Sequence, residues 1–207
     1  MTETISAGAT PDEPDILNGL IARRVASLRK RRNLSFDEFA ARCGVSKGML
    51  VQIEQGRANP SIATLCRVAA GLHVSVAELV APGEESRAPV RLVGPGEAAR
   101  LWRGAKGGTA SLLVGSDGSD MLELWHWELR PGERYEAQPH PAGTRELIHV
   151  TQGLLALEVD GTTYRIEAGG SAFACTDRPH AYGCAGPDAV RFTMAVAEPE
   201  PVQAVRT

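Results

Sequence analysis

Apolar residues in the first third of the chain recur every three or four positions, a spacing that predicts short amphipathic helices. Residues 16–31 follow this pattern and end in a basic run, after which Asn33 can close the helix in a left-handed conformation. Ser35 and Glu38 have the spacing of a capping box, in which each side chain bonds the other residue's backbone N–H. A second helix is therefore predicted to begin directly after Ser35.

The third predicted helix follows a tight turn at Gly44, where a chain reversal needs a residue that tolerates positive φ. Ser46 can cap this helix, and Gly56 can end it. One face is expected to be buried, and it comprises Val45, Met49, Leu50 and Ile53. The opposite, polar face at the start of the helix is typical of a helix-turn-helix, whose second helix lies in the major groove of DNA.

Two further helices complete the N-terminal unit. Asn59 and Pro60 prevent helical continuation, and Ser61 can cap a fourth helix that is predicted to end at Gly71. A fifth short helix is predicted over residues 75–80. The pattern therefore predicts a compact all-α domain of five helices over residues 16–80.

The rest of the chain has short runs of β-branched, aromatic and Leu residues separated by turn residues. Seven strands are predicted, over residues 111–114, 121–129, 146–151, 154–159, 162–166, 171–175 and 189–196. Asp160 and Gly161 form a two-residue hairpin turn between two of them. Short strands with no intervening helix favour a barrel or sandwich, and a small jelly roll fits the number of strands.

Length and composition divide the chain in the same place. A chain of 207 residues accommodates two domains of ordinary size. Residues 1–15 have no apolar run and are predicted to be a disordered arm, residues 81–97 a linker, and residues 98–207 the β domain. No secretory signal or membrane span is evident, and the four cysteines lack the paired spacing of a metal or redox motif, so the protein is expected in the cytoplasm.

Charge is distributed unevenly between the two units. Residues 16–80 hold ten Lys or Arg and four Asp or Glu, whereas the remaining residues hold twelve and twenty-one. The slightly acidic chain thus contains a basic N-terminal domain, which favours a DNA-binding surface over a scaffold or a protein-binding module.

The run from Gly44 to Arg57, with its Glu-Gln-Gly-Arg ending, resembles the phage-repressor-like, or XRE-type, helix-turn-helix domain. The resemblance implies that Arg29 pairs with Glu54 and so orients the third predicted helix, which we call the reading helix. It also implies that the first residues of the reading helix, and one residue a turn later, contact base edges. The DNA-binding residues implied in this way are Ser35, Ser46, Lys47, Gly48, Gln52, Arg57 and Asn59. Gln52 is the strongest candidate for base reading, because its amide can pair with adenine through two hydrogen bonds.

The segments Pro131–Gly132, 140–146 and 150–153 resemble the first motif of the cupin superfamily, and the segments 168–170 and 179–182 resemble the second. The resemblance implies a C-terminal cupin, a double-stranded β-helix or jelly-roll barrel. A chain with an N-terminal XRE-type domain and a C-terminal cupin is identified as a member of a known class of transcriptional regulators.

Metal-binding cupins use two His and a Glu from the first motif and a His from the second. The resemblance implies His140, Glu146 and His180 as ligands of a zinc or similar divalent ion, but Gln138 or Pro139 stands where another His is expected. Three ligands with an open fourth position can still hold such an ion. The alternative is that the histidines line a polar pocket or make internal hydrogen bonds.

The barrel is predicted to bind a small-molecule effector through polar residues, which are His140, Arg145, Glu146, His180 and Tyr182. Trp125, Trp127 and Phe173 are candidates for apolar contacts with the same ligand.

The sequence therefore predicts a homodimeric DNA-binding regulator, a repressor rather than an activator, that binds a palindromic operator and senses a small molecule. No catalytic residues are assigned. Two alternatives remain: a metal-dependent cupin enzyme fused to a DNA-binding module, and a constitutive regulator whose cupin serves only to dimerise.

Overall fold

The computed structural model describes residues 13–80, 90–117 and 121–199. Its N-terminal unit contains the five predicted helices, which are α1 (Glu13–Arg31), α2 (Phe36–Cys43), α3 (Lys47–Glu54), α4 (Ile62–Gly71) and α5 (Val76–Val80). Helix α1 begins at Glu13, so it includes the last three residues of the predicted N-terminal arm. The rest of the arm and part of the predicted linker, residues 1–12 and 81–89, lie outside the described residues. None of the described helices combines the length and apolarity needed to cross a membrane.

The predicted capping signals form as expected. The Ser35 hydroxyl accepts a hydrogen bond from the Glu38 backbone N–H at 3.3 Å, and the Glu38 carboxylate accepts one from the Ser35 N–H at 2.9 Å. Asn33 and Gly44 adopt left-handed conformations with φ of 53° and 61°. Ser46 accepts a bond from the third N–H of α3 in the same manner. Local side-chain chemistry therefore sets the boundaries of α1, α2 and α3.

One detail of the helical domain differs from the prediction. Met49 is 41% exposed instead of buried, because only Val45, Leu50 and Ile53 of its predicted face contact the core. Helix α4 ends at Gly71 as predicted, and the left-handed residue that follows it is His73, whose φ is 50°. A Cβ at position 71 would lie 2.7 Å from the Cβ of Cys43, so this glycine permits close packing of α4 against α2.

The described residues of the C-terminal unit form ten strands in two antiparallel sheets. The strands are β1 (Ala99–Arg103), β2 (Thr109–Gly115), β3 (Met121–Leu129), β4 (Arg134–Ala137), β5 (Arg145–Gln152), β6 (Leu154–Val159), β7 (Thr162–Glu167), β8 (Ser171–Cys175), β9 (His180–Cys184) and β10 (Val190–Glu198). One sheet has the order β1-β2-β3-β10-β5-β8 and the other β4-β9-β6-β7. All seven predicted strands are present, and β1, β4 and β9 are additional.

Alternation along the strands fills the space between the two sheets with apolar side chains. On β3 the odd-numbered residues from Met121 to Leu129 are buried, and they include Trp125 and Trp127. Tyr182 on β9 and Phe192 on β10 pack within 6 Å of Trp127, measured between ring centroids. This aromatic cluster forms the floor of the barrel.

The helical domain contacts the barrel through α5. The Ser75 hydroxyl donates a hydrogen bond to the carbonyl of Ser116 at 2.5 Å, and the Ala77 N–H donates one to the buried Glu123 carboxylate at 3.0 Å. Ala77 also packs against Gly115, where an added Cβ would lie only 2.4 Å from the Cβ of Ala77. The structure thus describes a specific contact between the two domains.

Candidate DNA-binding surface and ligand cavity

The seven residues predicted to contact DNA all lie exposed on the helical domain. They are Ser35, Ser46, Lys47, Gly48, Gln52, Arg57 and Asn59. Because α3 buries Leu50 and Ile53 beneath it, its opposite side is directed to solvent, and Gln52 lies on that side. The surface has the composition that base and phosphate contacts require.

The side chains of Lys47 and Ser35 already have partners within the protein. Lys47 forms an ion pair with Asp37 at 2.9 Å, and both side chains are exposed. The Ser35 hydroxyl also donates to the Glu38 carboxylate at 2.7 Å, so both of its hydrogen-bonding functions are used in the capping box. DNA binding by either side chain therefore requires exchange of an internal partner for a base or phosphate.

Met49 was missed as a surface residue of the reading helix. It follows Gly48 at the exposed start of α3, and its thioether can make apolar contact with a thymine methyl group. Helical periodicity placed it with the core, and no feature of the sequence distinguished it from its buried neighbours.

A cavity of about 270 Å³ lies at the mouth of the barrel. Its barrel side is lined by the aromatic residues Trp125, Trp127 and Tyr135 and by the carboxylates of Glu123, Glu146 and Glu198. Its other side is lined by residues of α4. An apolar body with a few polar groups is the usual composition of a small-molecule site.

Three predicted ligand residues converge beside this cavity, which is lined by two of them, His140 and Glu146. Glu146 Oε1 lies 3.6 Å from His140 Nε2 and 3.9 Å from His180 Nε2, and one ligand atom from each of the three residues lies within 4.8 Å of the other two. They come from β5, β9 and the segment before β5, as the resemblance to cupins implied.

Glu146 Oε1 and His180 Nε2 are available to bind a ligand, because in each side chain the other polar atom makes the hydrogen bond. Tyr182 donates to Glu146 Oε2 at 2.5 Å, and His180 Nδ1 lies 2.8 Å from the carbonyl of Arg178, which fixes the tautomer with a free Nε2. Glu146 Oε1 and His180 Nε2 are buried without a hydrogen-bond partner among the described residues. The donor set therefore fits a divalent ion, with its outer partners already in place.

Burial controls protonation at this site. It raises the pKa of Glu146 to about 7, against the opposing effect of the Tyr182 hydrogen bond. Burial, with the nearby His180, lowers the pKa of His140 to about 4, and burial also lowers the pKa of His180. Both histidines are neutral at pH 7 and offer lone pairs, which is the form that binds a metal.

Other predicted pocket residues do not meet this cluster. Arg145 and Phe173 are exposed on the outer face of the six-stranded sheet, because residues before and after an inward-facing position point outward. Gln138 lines the cavity but is exposed. Trp125 and Trp127 are buried and line the cavity, as their candidate role requires.

Glu123 is a functional candidate that sequence reasoning missed. One carboxylate oxygen accepts a hydrogen bond from Ala77 of α5, and the other accepts one from the indole N–H of Trp125 at 3.1 Å. Burial raises its pKa to about 7, although both hydrogen bonds act in the opposite direction. The sequence did carry a signal for Glu123, since it occupies one of the alternating, otherwise apolar positions of β3. A carboxylate at a buried position requires a partner.

Comparison with known proteins supports both halves of this description. A family model of a helix-turn-helix domain matches residues 20–81, and a model of a cupin domain matches residues 125–196. The chain is 28% identical to the HTH-type transcriptional regulator SutR of Escherichia coli (strain K12) over 179 residues, which cover 86% of this chain and 95% of that protein.

Two further similarities cover 32% and 90% of this chain respectively. An uncharacterized HTH-type transcriptional regulator of Sinorhizobium fredii, y4dJ, is 40% identical over 67 residues, which cover 32% of this chain and 87% of that protein. The crystal structure of an HTH_3 family transcriptional regulator from Vibrio cholerae is 29% identical, with a TM-score of 0.70, and the match covers 90% of this chain and 99% of that one.

Proposed function

This chain belongs to the XRE-type helix-turn-helix transcriptional regulators with a C-terminal cupin domain, and we propose that it is a homodimeric repressor controlled by a small effector. The observation that carries the effector role is the cavity at the barrel mouth, where aromatic and polar side chains converge. The exposed start of α3 supports sequence-specific binding, with Gln52 reading a base and Arg57 contacting phosphate.

A homodimer is supported by the outer face of the six-stranded sheet. Leu147 and Phe173, each more than 60% exposed, are directly paired across β5 and β8, and Ala195 continues the row on β10. Contiguous apolar patches of this kind on soluble proteins usually mark interfaces. A second copy of the chain can cover this face isologously, so that one surface serves both subunits. The two reading helices would then bind half-sites about 34 Å apart, or a multiple of that distance, on a palindromic operator.

Substitution of Leu147 by Glu is expected to convert the dimer to a monomer. Two carboxylates, one from each copy, would be brought into an apolar interface near the symmetry axis, where like charges without partners are strongly unfavourable. Sedimentation velocity of the full chain measures the change.

The matched control is Tyr164→Glu, which alters an exposed aromatic residue on β7 of the other sheet. The control variant is expected to remain dimeric. If Leu147→Glu sediments like the wild-type protein, the outer face of the six-stranded sheet is not the dimer interface.

Repression follows from position on the DNA, because a dimer bound at a promoter obstructs polymerase without further components. Release requires that the effector bind the free and DNA-bound states with different affinities. A difference of about 1 to 3 kcal/mol is typical of such coupling. The proposed barrel ligand is bound and not transformed.

A divalent ion in the cavity would be held by His140, Glu146 and His180. Bound there, it would act as a Lewis acid and orient a polar group of the effector. Tyr182 and the Arg178 carbonyl hold the Glu146 carboxylate and the His180 ring in the required orientation. The same set of two histidines and one carboxylate also occurs in non-haem iron oxygenases, so the enzyme alternative is tested by experiment below.

Zinc is expected to bind with about one ion per chain, and Tyr182→Phe is expected to weaken binding about tenfold while preserving stoichiometry. The variant removes only the hydroxyl that orients Glu146. Isothermal titration calorimetry with zinc gives both quantities. If the wild-type protein does not bind zinc, the cavity is a site for an organic ligand alone. Oxygen consumption by the iron-loaded protein would contradict the non-enzymatic role.

A further inference from the structure

One wall of the ligand cavity comes from the DNA-binding domain. Ile62, Ala63, Cys66, Arg67 and Ala70 of α4 face residues of β3, β4 and β10 across a space of about 270 Å³. Helix α4 follows directly on the reading helix and packs against α2. A molecule in this space therefore lies between the barrel and the helices that hold the DNA-reading element.

The surroundings of the Cys66 thiol confirm that α4 lies close to the barrel. Burial raises the pKa of this thiol well above its usual range, and the charges of Glu123 and Glu198 raise it further. Cys66 in turn contributes to the raised pKa of Tyr135 on β4, after the larger effect of burial. Cys66 is partly buried, and it lines the cavity.

Glu123 links the cavity to the contact between the domains. It lines the cavity, accepts the indole N–H of Trp125, which also lines it, and accepts the backbone N–H of Ala77 on α5. Ser75 adds a second hydrogen bond across the same contact. A ligand that moves Trp125 or binds the Glu123 carboxylate would change an interaction that holds α5 on the barrel.

We propose that the cavity is an interdomain ligand site, closed on one side by α4, and that the Glu123 contact makes docking of the DNA-binding domain depend on what the cavity holds. This inference deepens the proposed function and rests on it for the existence of an effector. The ligand then acts by changing how the reading helices are held relative to the dimeric barrels.

The lining also restricts the chemistry of the ligand. Three carboxylates, those of Glu123, Glu146 and Glu198, face the cavity, and among the described lining residues only Arg67 has a permanent positive charge. Arg67 is exposed and therefore lies at the edge of the space. The site suits a compact ligand with hydrogen-bond donors and an apolar portion that packs on Trp125.

A steric variant tests the docking without any ligand. Gly115→Ala places a methyl group about where Ala77 now packs, so α5 has to move away from the barrel. Gly115 does not line the cavity, and its backbone is outside the left-handed region, so the strand conformation is kept. The added methyl group would also lie 3.0 Å from the Glu123 Cγ, and this contact is shared by the single and the double variant described next. The double variant Gly115→Ala/Ala77→Gly removes the obstructing methyl group and is expected to restore docking.

Alkylation of Cys66 by iodoacetamide in the native full-length protein, followed by peptide mass spectrometry, measures opening of the site. Gly115→Ala is expected to raise the Cys66 rate about tenfold or more, because the two interdomain hydrogen bonds are weakened. The double variant and Ala77→Gly alone are expected to react at the wild-type rate. Cys43 in the helical core and exposed Cys175 serve as slow and fast internal controls.

Equal Cys66 rates in wild-type and Gly115→Ala protein would overturn the interdomain site, as would a double variant that stays as reactive as Gly115→Ala. A raised Cys43 rate identifies unfolding. In that case the Cys66 rate of Glu123→Ala, which removes the hydrogen bond from Ala77 without a clash, decides by the same measurement. If docking controls DNA binding, operator affinity differs about fivefold or more between wild-type and Gly115→Ala protein. Equal affinities would overturn that control. The alkylation rates require no effector, so failure to find an effector would reject the proposed function alone.

Discussion

Substitution of Arg29 by Ala is expected to destabilise the helical domain by about 3 kcal/mol, because it leaves the Glu54 carboxylate buried without its partner. Arg29 binds Glu54 through two hydrogen bonds of 2.5 and 2.9 Å, and both side chains are about nine-tenths buried. The guanidinium also donates to the Leu34 carbonyl and lies 4.1 Å from the centre of the Phe36 ring. Urea denaturation followed by far-UV circular dichroism measures the loss as a lower free energy of unfolding.

The control for this prediction is Arg42→Ala, which removes an exposed arginine from α2. It is expected to change stability by less than about 0.5 kcal/mol. Similar losses in both variants would mean that the Arg29 effect is one of net charge. The double variant Arg29→Ala/Glu54→Ala tests the pairing itself, because removal of both partners leaves no uncompensated charge. Its loss in free energy of unfolding is expected to be smaller than the sum of the losses in the two single variants.

This ion pair also connects stability with DNA reading. Glu54 is the last residue of α3, so Arg29 fixes the end of the reading helix against α1. Partial loss of that contact would let α3 change its angle in the major groove. The resemblance to XRE-type domains implied the pair, and the structure confirms it with a geometry suited to that role.

The helical domain was largely predictable because its boundaries depend on local chemistry. Ser35, Ser46 and Ser61 cap helices through bonds to N–H groups three residues away, and such bonds can be recognised without knowledge of the fold. Met49 was misplaced because periodicity defines a face of a helix only to within about one residue when the helix is as short as eight residues.

Strands were predicted where alternation or apolar runs were clear, and missed where they were not. Four of the five residues of β9 are buried, so it lacks the two-residue period of a half-exposed strand. β4 is only four residues long and includes two charged residues. The convergence of His140, Glu146 and His180 was implied by the resemblance to the cupin motifs, whereas the contribution of α4 to the cavity could not be predicted. Cys66 and Glu123 are far apart in the sequence, and neither segment carries a local signal of that contact.

Gln52→Ala is expected to weaken binding to the preferred operator by about tenfold to a hundredfold, while binding to unrelated DNA changes little. The amide is exposed in the second half of α3, where it can form two hydrogen bonds with an adenine edge. Base contacts contribute to specific binding alone, whereas phosphate contacts contribute to binding of every sequence. A duplex selected by the wild-type protein from a random pool provides the operator, and fluorescence anisotropy provides both affinities.

Two variants on the same surface make this prediction specific. Gln55→Ala changes an identical side chain at the C-terminal end of α3, which is expected to lie outside the groove, and should leave both affinities unchanged. Arg57→Ala should weaken binding to both duplexes and lower the slope of log affinity against log salt by about 0.9, the change expected for one phosphate contact. A Gln52→Ala variant that loses affinity equally for both duplexes would place Gln52 on the phosphate backbone. Operator affinity that survives both Gln52→Ala and Arg57→Ala would show that another surface reads the DNA.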